Sequence, residues 1–295
     1  MPVPLTMPVE HIRVETEDGL LLDGHLYRPW NGDTGSMAVD CAILVHGTGS
    51  DFLAPGLLEF LAHSLPAAGC AVMRVNTRGH GIISRLASTT GSRTGGAAYE
   101  AVAEAPLDLA AWAGLATQLG FHRLALVGHS MGGVKSAMTL AASQATEVSR
   151  LICLGSPRFC HEELRSHHSA AHFRADYARA LELIEAGHGE QLLHVRQPLP
   201  LTITAANFVE KYSPEDRYDI IRLLRGVRVP TLVLLGGEEI SRSGAYASQP
   251  RELQQLQQSR GSSAPLTFHV VDGARTPFFG FESEVTGTVL EWLAG

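Results

Sequence analysis

The sequence predicts an α/β protein with a mainly parallel central sheet flanked by helices. Three observations carry that expectation. Short apolar runs such as CAILVHGTG (41–49) are rich in β-branched residues and end in glycine, the pattern of strands buried on both faces. Helix-length stretches separate these runs, and strict β/α alternation builds a parallel sheet covered on both sides. One stretch, 158–229, interrupts the alternation and reads as an insertion.

In chain order, residues 11–29 alternate in polarity around Asp18-Gly19 and predict an antiparallel hairpin. The strand at 41–49 leads into a helical stretch, PGLLEFLAHSLPAAG, and then a strand, AVMRVNTRGHG. A Gly-, Ser- and Thr-rich loop is expected over 84–96 and an alanine-rich helix over 97–118. RLALVGHS is the next strand, followed by a helix over 131–144 and the strand RLICLGSP. Within 158–229, HEELRSHHSAAHFRADYARALELIEAG reads as helix, and Ser213 before Pro214 reads as a helix N-cap. The core resumes with PTLVLLGGEE, a Gln-rich helix, LTFHVVDG and a terminal helix ending near Trp292. The expected organisation is a core of 1–157 and 230–295 with a mostly helical cap, 158–229, over the C-terminal edge of the strands.

Composition bounds the function. The chain has 295 residues, 45% hydrophobic and 18% charged, as a folded soluble enzyme requires. Its net charge of -7 gives no basic footprint for nucleic acid. MPVPLTMPVEHIRVE carries neither a basic n-region nor an apolar h-region, and no apolar window is long enough for a membrane span. Of the four cysteines, Cys41, Cys70 and Cys153 lie in or beside strand-like runs and read as buried free thiols; Cys160 beside His161 is a weak metal signal. With no C-x-x-C motif, a reducing cytoplasm is expected.

GHSMGG (128–133) fits G-x-S-x-G between an apolar strand and a helix, the context that motif needs. A serine on so sharp a turn lifts its hydroxyl above the sheet. The helix N-terminus and the Met131 amide can then stabilise a developing oxyanion. On these residues the chain resembles the α/β-hydrolase fold superfamily, of the serine esterase and lipase type with a helical lid. HGTG (46–49) matches the superfamily's oxyanion loop, and NTRGHG (76–81) its stretch after the next strand. The longer phrases GHSMGGVKS and EKYSPEDRYDI resemble a bacterial esterase-like subgroup. The resemblance implies an α/β-hydrolase fold with Ser130 as nucleophile and the Thr48 and Met131 amides as the oxyanion hole. It places the catalytic acid at Glu238, with Glu239 second, and needs no cofactor or metal.

The superfamily's histidine should follow the last strand, and here that segment reads Gly273-Ala274-Arg275-Thr276-Pro277. The register puts Thr276 at the base position; a one-residue deletion closed by Pro277 and Phe278 would explain the gap as well. Neither a threonine hydroxyl nor a guanidinium serves as a base near neutral pH. Arg275 then reads as a surface residue, a positive charge for an anionic substrate, or a partner of Glu238. His46, Gly47, His129, Arg275 and Thr276 are the candidates for substrate contact, with His46 in a structural role and His129 pointing away from the serine's side. His269 lies on the last strand, below the site. His161, His167, His168 and His172 in the cap are the remaining candidates for a displaced base, with a zinc site as the weaker alternative. Phe159, Phe173, Tyr177, Phe208, Tyr212 and Tyr218 would line an apolar pocket or pack a core.

The function expected is that of a hydrolase acting on a small ester, thioester or related acyl compound, with an atypical triad. The alternatives are a non-hydrolytic family member, lyase- or isomerase-like, and a non-catalytic binding protein on the same scaffold. The expected partner is a small-molecule substrate rather than nucleic acid or membrane, and a homodimer is the assembly left open.

Overall fold

The computed structural model describes residues 8–30 and 37–295; the first seven residues of the segment read for a leader lie outside them. The chain opens with β1 (Glu10–Glu15) and β2 (Leu20–Tyr27), an antiparallel pair that turns at Asp18-Gly19, where glycine takes φ +78°. β3 (Cys41–Val45), α1 (Leu57–Ala67) and β4 (Ala71–Val75) follow, both strands buried along their length. Residues 84–96, expected as loop, instead form a hairpin, β5 (Ser84–Ser88) and β6 (Gly91–Gly95), which pairs with β2. Its apolar signal is faint because Leu86 is its one buried large apolar side chain. α2 (Ala105–Gln118) starts later than 97 because Pro106 sits in its first turn, where its fixed φ and missing N–H suit a helix start.

β7 (Leu124–His129), α3 (Met131–Ala141) and β8 (Val148–Leu154) form the next unit. Then come α4 (His161–Ser166), α5 (Ala171–Glu185), β9 (Leu192–Val195), β10 (Leu201–Thr204), α6 (Ala205–Lys211) and α7 (Ile220–Gly226). β11 (Thr231–Gly236), α8 (Gly237–Arg242), α9 (Gln249–Ser259), β12 (Leu266–Val271) and α10 (Glu282–Ala294) complete the chain.

The main sheet has ten strands, ordered β12-β11-β8-β7-β3-β4-β2-β5-β6 with β1 on β2. The strands from β12 to β4 in that order pair in parallel, and β2 joins β4 antiparallel. Alternate residues of β3 feed two separate cores. Cys41, Ile43 and Val45 pack with Trp112 and Val134 on the side of α2 and α3, while Ala42 and Leu44 pack with Leu61 and Leu293 on the side of α1 and α10.

The interruption between β8 and β11 falls between strands that pair directly, so 158–229 leaves the sheet and returns to the neighbouring position. Two features differ from a mostly helical cap. β9 and β10 form a hairpin of their own, separate from the main sheet. α7 buries Ile220, Ile221 and Leu224 and packs on α3 and α9, so it flanks the sheet. The cap of that helix is Asp219, whose carboxylate accepts from the Ile221 amide at 3.0 Å; Ser213 lies outside any helix. No described helix is long and apolar enough to cross a membrane.

Candidate active site

Ser130 follows β7 directly and stands at the N-cap of α3, with φ +53° and ψ -120°. That region strains any residue bearing a Cβ and persists only where surrounding contacts enforce it. Here the Ser130 amide donates to the Leu154 carbonyl at 2.8 Å, and the Gly133 amide returns to the Ser130 carbonyl at 3.1 Å. The turn needs glycine around it. A Cβ on Gly128 would come 2.3 Å from the Gly132 carbonyl carbon, and one on Gly132 2.2 Å from the Val45 carbonyl oxygen. Met131 opens α3, so its amide has no intrahelical acceptor.

The loop after β3 lies against this elbow: a Cβ on Gly47 would sit 3.1 Å from Ser130 Cβ. A buried polar chain fixes the loop. Lys135 Nζ on α3 pairs with Glu100 at 2.5 Å and donates to Thr77 Oγ1 at 3.0 Å. The Thr77 amide donates to His46 Nε2 at 3.1 Å, and His46 Nδ1 donates to the Gly47 carbonyl at 2.9 Å. His46 accepts at one nitrogen and donates at the other, so it is neutral; desolvation, with Lys135 nearby, holds its pKa down to about 3. His46 is 1% exposed and does not line the cavity, so its place is beneath the loop rather than against a substrate.

Ser130, Gly47 and Thr48 line a cavity of about 730 Å³, within the usual range for small-molecule sites. Pro157, Phe159 and Tyr212 form part of its wall. Lys211, Tyr246 and the 272–281 loop also reach it. Thr276 lines it, but its hydroxyl donates to Tyr246 Oη at 3.0 Å, and Tyr246 Oη donates to the Gly155 carbonyl at 2.9 Å. The loop is closed by the Phe278 amide donating to the Arg275 carbonyl at 2.8 Å. Phe278 takes φ +56° and is fully buried. The segment that would carry a histidine is thus a tight turn anchored in the core.

Glu238 and Glu239 start α8 rather than lying in a loop. Glu238 meets no imidazole: its Oε2 lies 3.6 Å from Arg275 Nε and 3.5 Å from Arg242 Nη2. Glu239 Oε1 accepts from the Thr276 amide at 3.3 Å. Arg275 is largely exposed at the rim.

His129 borders the cavity, and among the described residues it is the one histidine that does. Its Nε2 donates to the Thr276 carbonyl at 2.8 Å, and desolvation lowers its pKa, so the ring is neutral near pH 7. The histidines between 161 and 172 are engaged elsewhere. His161 Nδ1 bonds the Tyr212 carbonyl at 2.7 Å and its ring meets Phe173 and Tyr177 edge-on. His167 bonds Ser169, His168 stacks on His167, and His172 meets Arg196. None of the four lines the cavity. Among the described residues no group of three or more His, Cys, Asp or Glu side chains is arranged to hold a metal ion. Of the six aromatic candidates, Phe159 and Tyr212 line the cavity, while Phe173, Tyr177, Phe208 and Tyr218 do not.

Sequence reasoning passed over Lys135, Tyr246 and Lys211. Lys135 and Lys211 stood inside the phrases GHSMGGVKS and EKYSPEDRYDI, and a lysine on a buried helix face was the available signal. Tyr246 had none, because its partner Thr276 is far away in sequence.

The alpha/beta hydrolase family model matches residues 42–282. No curated protein sequence matches the chain. Among solved structures, Est1E from Butyrivibrio proteoclasticus with ferulic acid bound is 14% identical at TM-score 0.64, covering 95% of this chain and 97% of its own. An esterase of Pyrococcus furiosus is 17% identical at TM-score 0.62, covering 97% and 90%. The alpha/beta hydrolase GrgF from Penicillium sp. is 14% identical at TM-score 0.70, covering 97% and 98%. With its elbow, its sheet order and a family model spanning most of its length, the chain belongs to the alpha/beta hydrolase family.

Proposed function

We propose that this protein is a serine-dependent, esterase-like hydrolase of small esters, thioesters or related acyl compounds, working with an incomplete triad. The observation that carries the reading is Ser130, held at φ +53° on the wall of the cavity with the Gly47 backbone against it. Ser130 Oγ attacks the acyl carbon and loses its proton to solvent; the carbonyl oxygen takes the electron pair, received by the Met131 and Thr48 amides. The acyl C–O or C–S bond then breaks to release the alcohol or thiol, which takes up a proton, before water releases the acid from Ser130. Glu238 and Glu239 occupy the family's acid turn but have no imidazole to orient. Glu238 faces Arg275, and Glu239 holds the Thr276 amide. The cap is α4 to α6 with the β9–β10 hairpin. The free thiols of Cys41, Cys70 and Cys153 are buried, which supports a reducing cytoplasm.

General-base assistance contributes typically about 10²–10⁴-fold, so its loss raises the barrier by roughly 3–5 kcal/mol and leaves a slow acyl transfer. A second reading, a lyase- or isomerase-like member, is favoured by the Thr276 hydroxyl, which is tied to Tyr246 and leaves water without an activator at the base position. Hydrolysis of p-nitrophenyl acetate, measured with mass spectrometry of the protein, separates the two. The expected result is slow turnover through an acyl adduct on Ser130, both abolished in Ser130→Ala. An unchanged rate in Ser130→Ala would rule out covalent serine catalysis. An adduct that never turns over would favour the second reading.

A further inference from the structure

Lys211 ends α6 with its side chain buried at 6% exposure, yet it lines the same cavity as Ser130. Its Nζ lies 5.5 Å from the centroid of Phe159 and 5.7 Å from that of Tyr212. Among the described residues no carboxylate lies within ion-pair distance of it, and no acceptor is hydrogen-bonded to it.

The other charged groups facing the cavity are committed. Glu238 faces Arg275, Glu239 accepts from the Thr276 amide, and Asp51 accepts from the Leu53 amide at 2.7 Å. Two carboxylates act on the Lys211 charge from beyond ion-pair distance: Glu100, which pairs with Lys135, and Glu210, whose Oε1 accepts from the Tyr218 hydroxyl while its Oε2 is buried without a partner. A buried charge is costly unless it is paired, and two aromatic faces offset only part of that cost. Desolvation moves the Lys211 pKa down to about 8, which leaves the ammonium mostly charged at pH 7.

We propose that Lys211 is the counter-ion for a carboxylate on the substrate, so that the preferred compounds are esters or thioesters carrying a second, free acid group. This deepens the hydrolase reading and rests on it for the scissile bond. The carboxylate enters the Phe159–Tyr212 corner and pairs with Nζ while the acyl carbon lies at Ser130. An ammonium that already stands desolvated gains more from a carboxylate than a hydrated one does, because less water is displaced on pairing.

The test is calorimetric and uses Ser130→Ala, in which no turnover consumes the ligand. Monomethyl glutarate and dimethyl glutarate are titrated at pH 7. The monoacid is expected to bind at least tenfold more tightly, a preference that falls to within twofold when Lys211→Met is added. Lys211→Arg should keep part of it. Lys211→Met keeps the length of the side chain in an apolar corner, and its melting curve checks that it folds. Equal binding of the two esters, no binding of either, or a preference that survives Lys211→Met overturns the proposal. So does a more than tenfold slower labelling of Ser130 in Lys211→Met by a neutral fluorophosphonate, since Lys211 would then act on the serine itself. Failure of the hydrolase reading looks different: the monoacid preference persists while intact Ser130 forms no acyl adduct.

Discussion

By the sequence register Thr276 falls where the resemblance expects a histidine, and its contacts tie it into the loop. Its hydroxyl joins Tyr246, its amide joins Glu239 and its carbonyl joins His129. The loop thus has a carboxylate on its amide side and the His129 imidazole on its carbonyl side, while position 276 itself carries no imidazole. Thr276→His is expected to raise p-nitrophenyl ester hydrolysis at least tenfold, because the ring would enter the cavity with Glu239 adjacent, and base assistance is worth about 10²–10⁴-fold. Arg275→His, one position away, should give no such gain, since Arg275 is largely exposed and faces Glu238. Initial rates of the two variants against wild type decide the matter; a gain in Arg275→His alone would mean that the loop register is shifted by one.

At the scale of elements, the turn after β4 is held to α2 by charge. Arg78 is 2% exposed and donates to Asp108, itself fully buried, at 3.0 Å and 2.7 Å. It also donates to Asp18 at 3.0 and 3.1 Å, and the Arg78 amide donates to Asp108 at 2.8 Å. Desolvation works against the guanidinium charge, but these carboxylates outweigh it and keep Arg78 charged. Breaking a buried pair by removing one partner costs about 3–5 kcal/mol because the other charge is left uncompensated. Asp108→Ala leaves Arg78 with the partly exposed Asp18 and Glu104, so it should lose stability of no more than that order in urea unfolding. Arg93→Ala, whose exposed side chain reaches Asp18 at 3.3 Å, should change it by no more than about 1 kcal/mol.

For the whole molecule, the buried His46 makes stability depend on acid. Its folded pKa is held down to about 3 from an unfolded value near 6.5, so between those values the unfolded chain binds the proton and the folded chain does not. Stability therefore rises with pH in this window. The contribution is fully present above about pH 6.5 and is lost as pH falls toward 3, by about 1.4 kcal/mol per pH unit. His46→Gln, which keeps an acceptor for the Thr77 amide, should flatten the decline of Tm between pH 6.5 and 4 relative to wild type. Identical slopes would show that His46 is protonated without cost.

Much of this architecture is readable from local pattern. Runs such as CAILV are apolar at both parities, which requires cover on both faces, and the elbow is readable because only glycines tolerate backbone at 2.2–2.3 Å. The missing histidine is equally a property of the sequence. The structure decided what depends on distant partners. The hairpin at 84–96 forms because the edge of β2 accepts β5, which a stretch with one buried large apolar side chain does not announce. α7 lies close against α3, where a Cβ on Gly226 would come 3.1 Å from Ala141 Cβ, a neighbour far away in the chain. Glu238 was placed by its distance from a strand in the sequence, yet its partners are Arg242 on its own helix and Arg275, the side chain that the 272–280 loop presents to it. Lys211 is plain in the sequence as a lysine. That it stands buried with no carboxylate in ion-pair distance, in the same cavity as Ser130, follows only from the tertiary fold, because burial and pairing are set by neighbours remote along the chain.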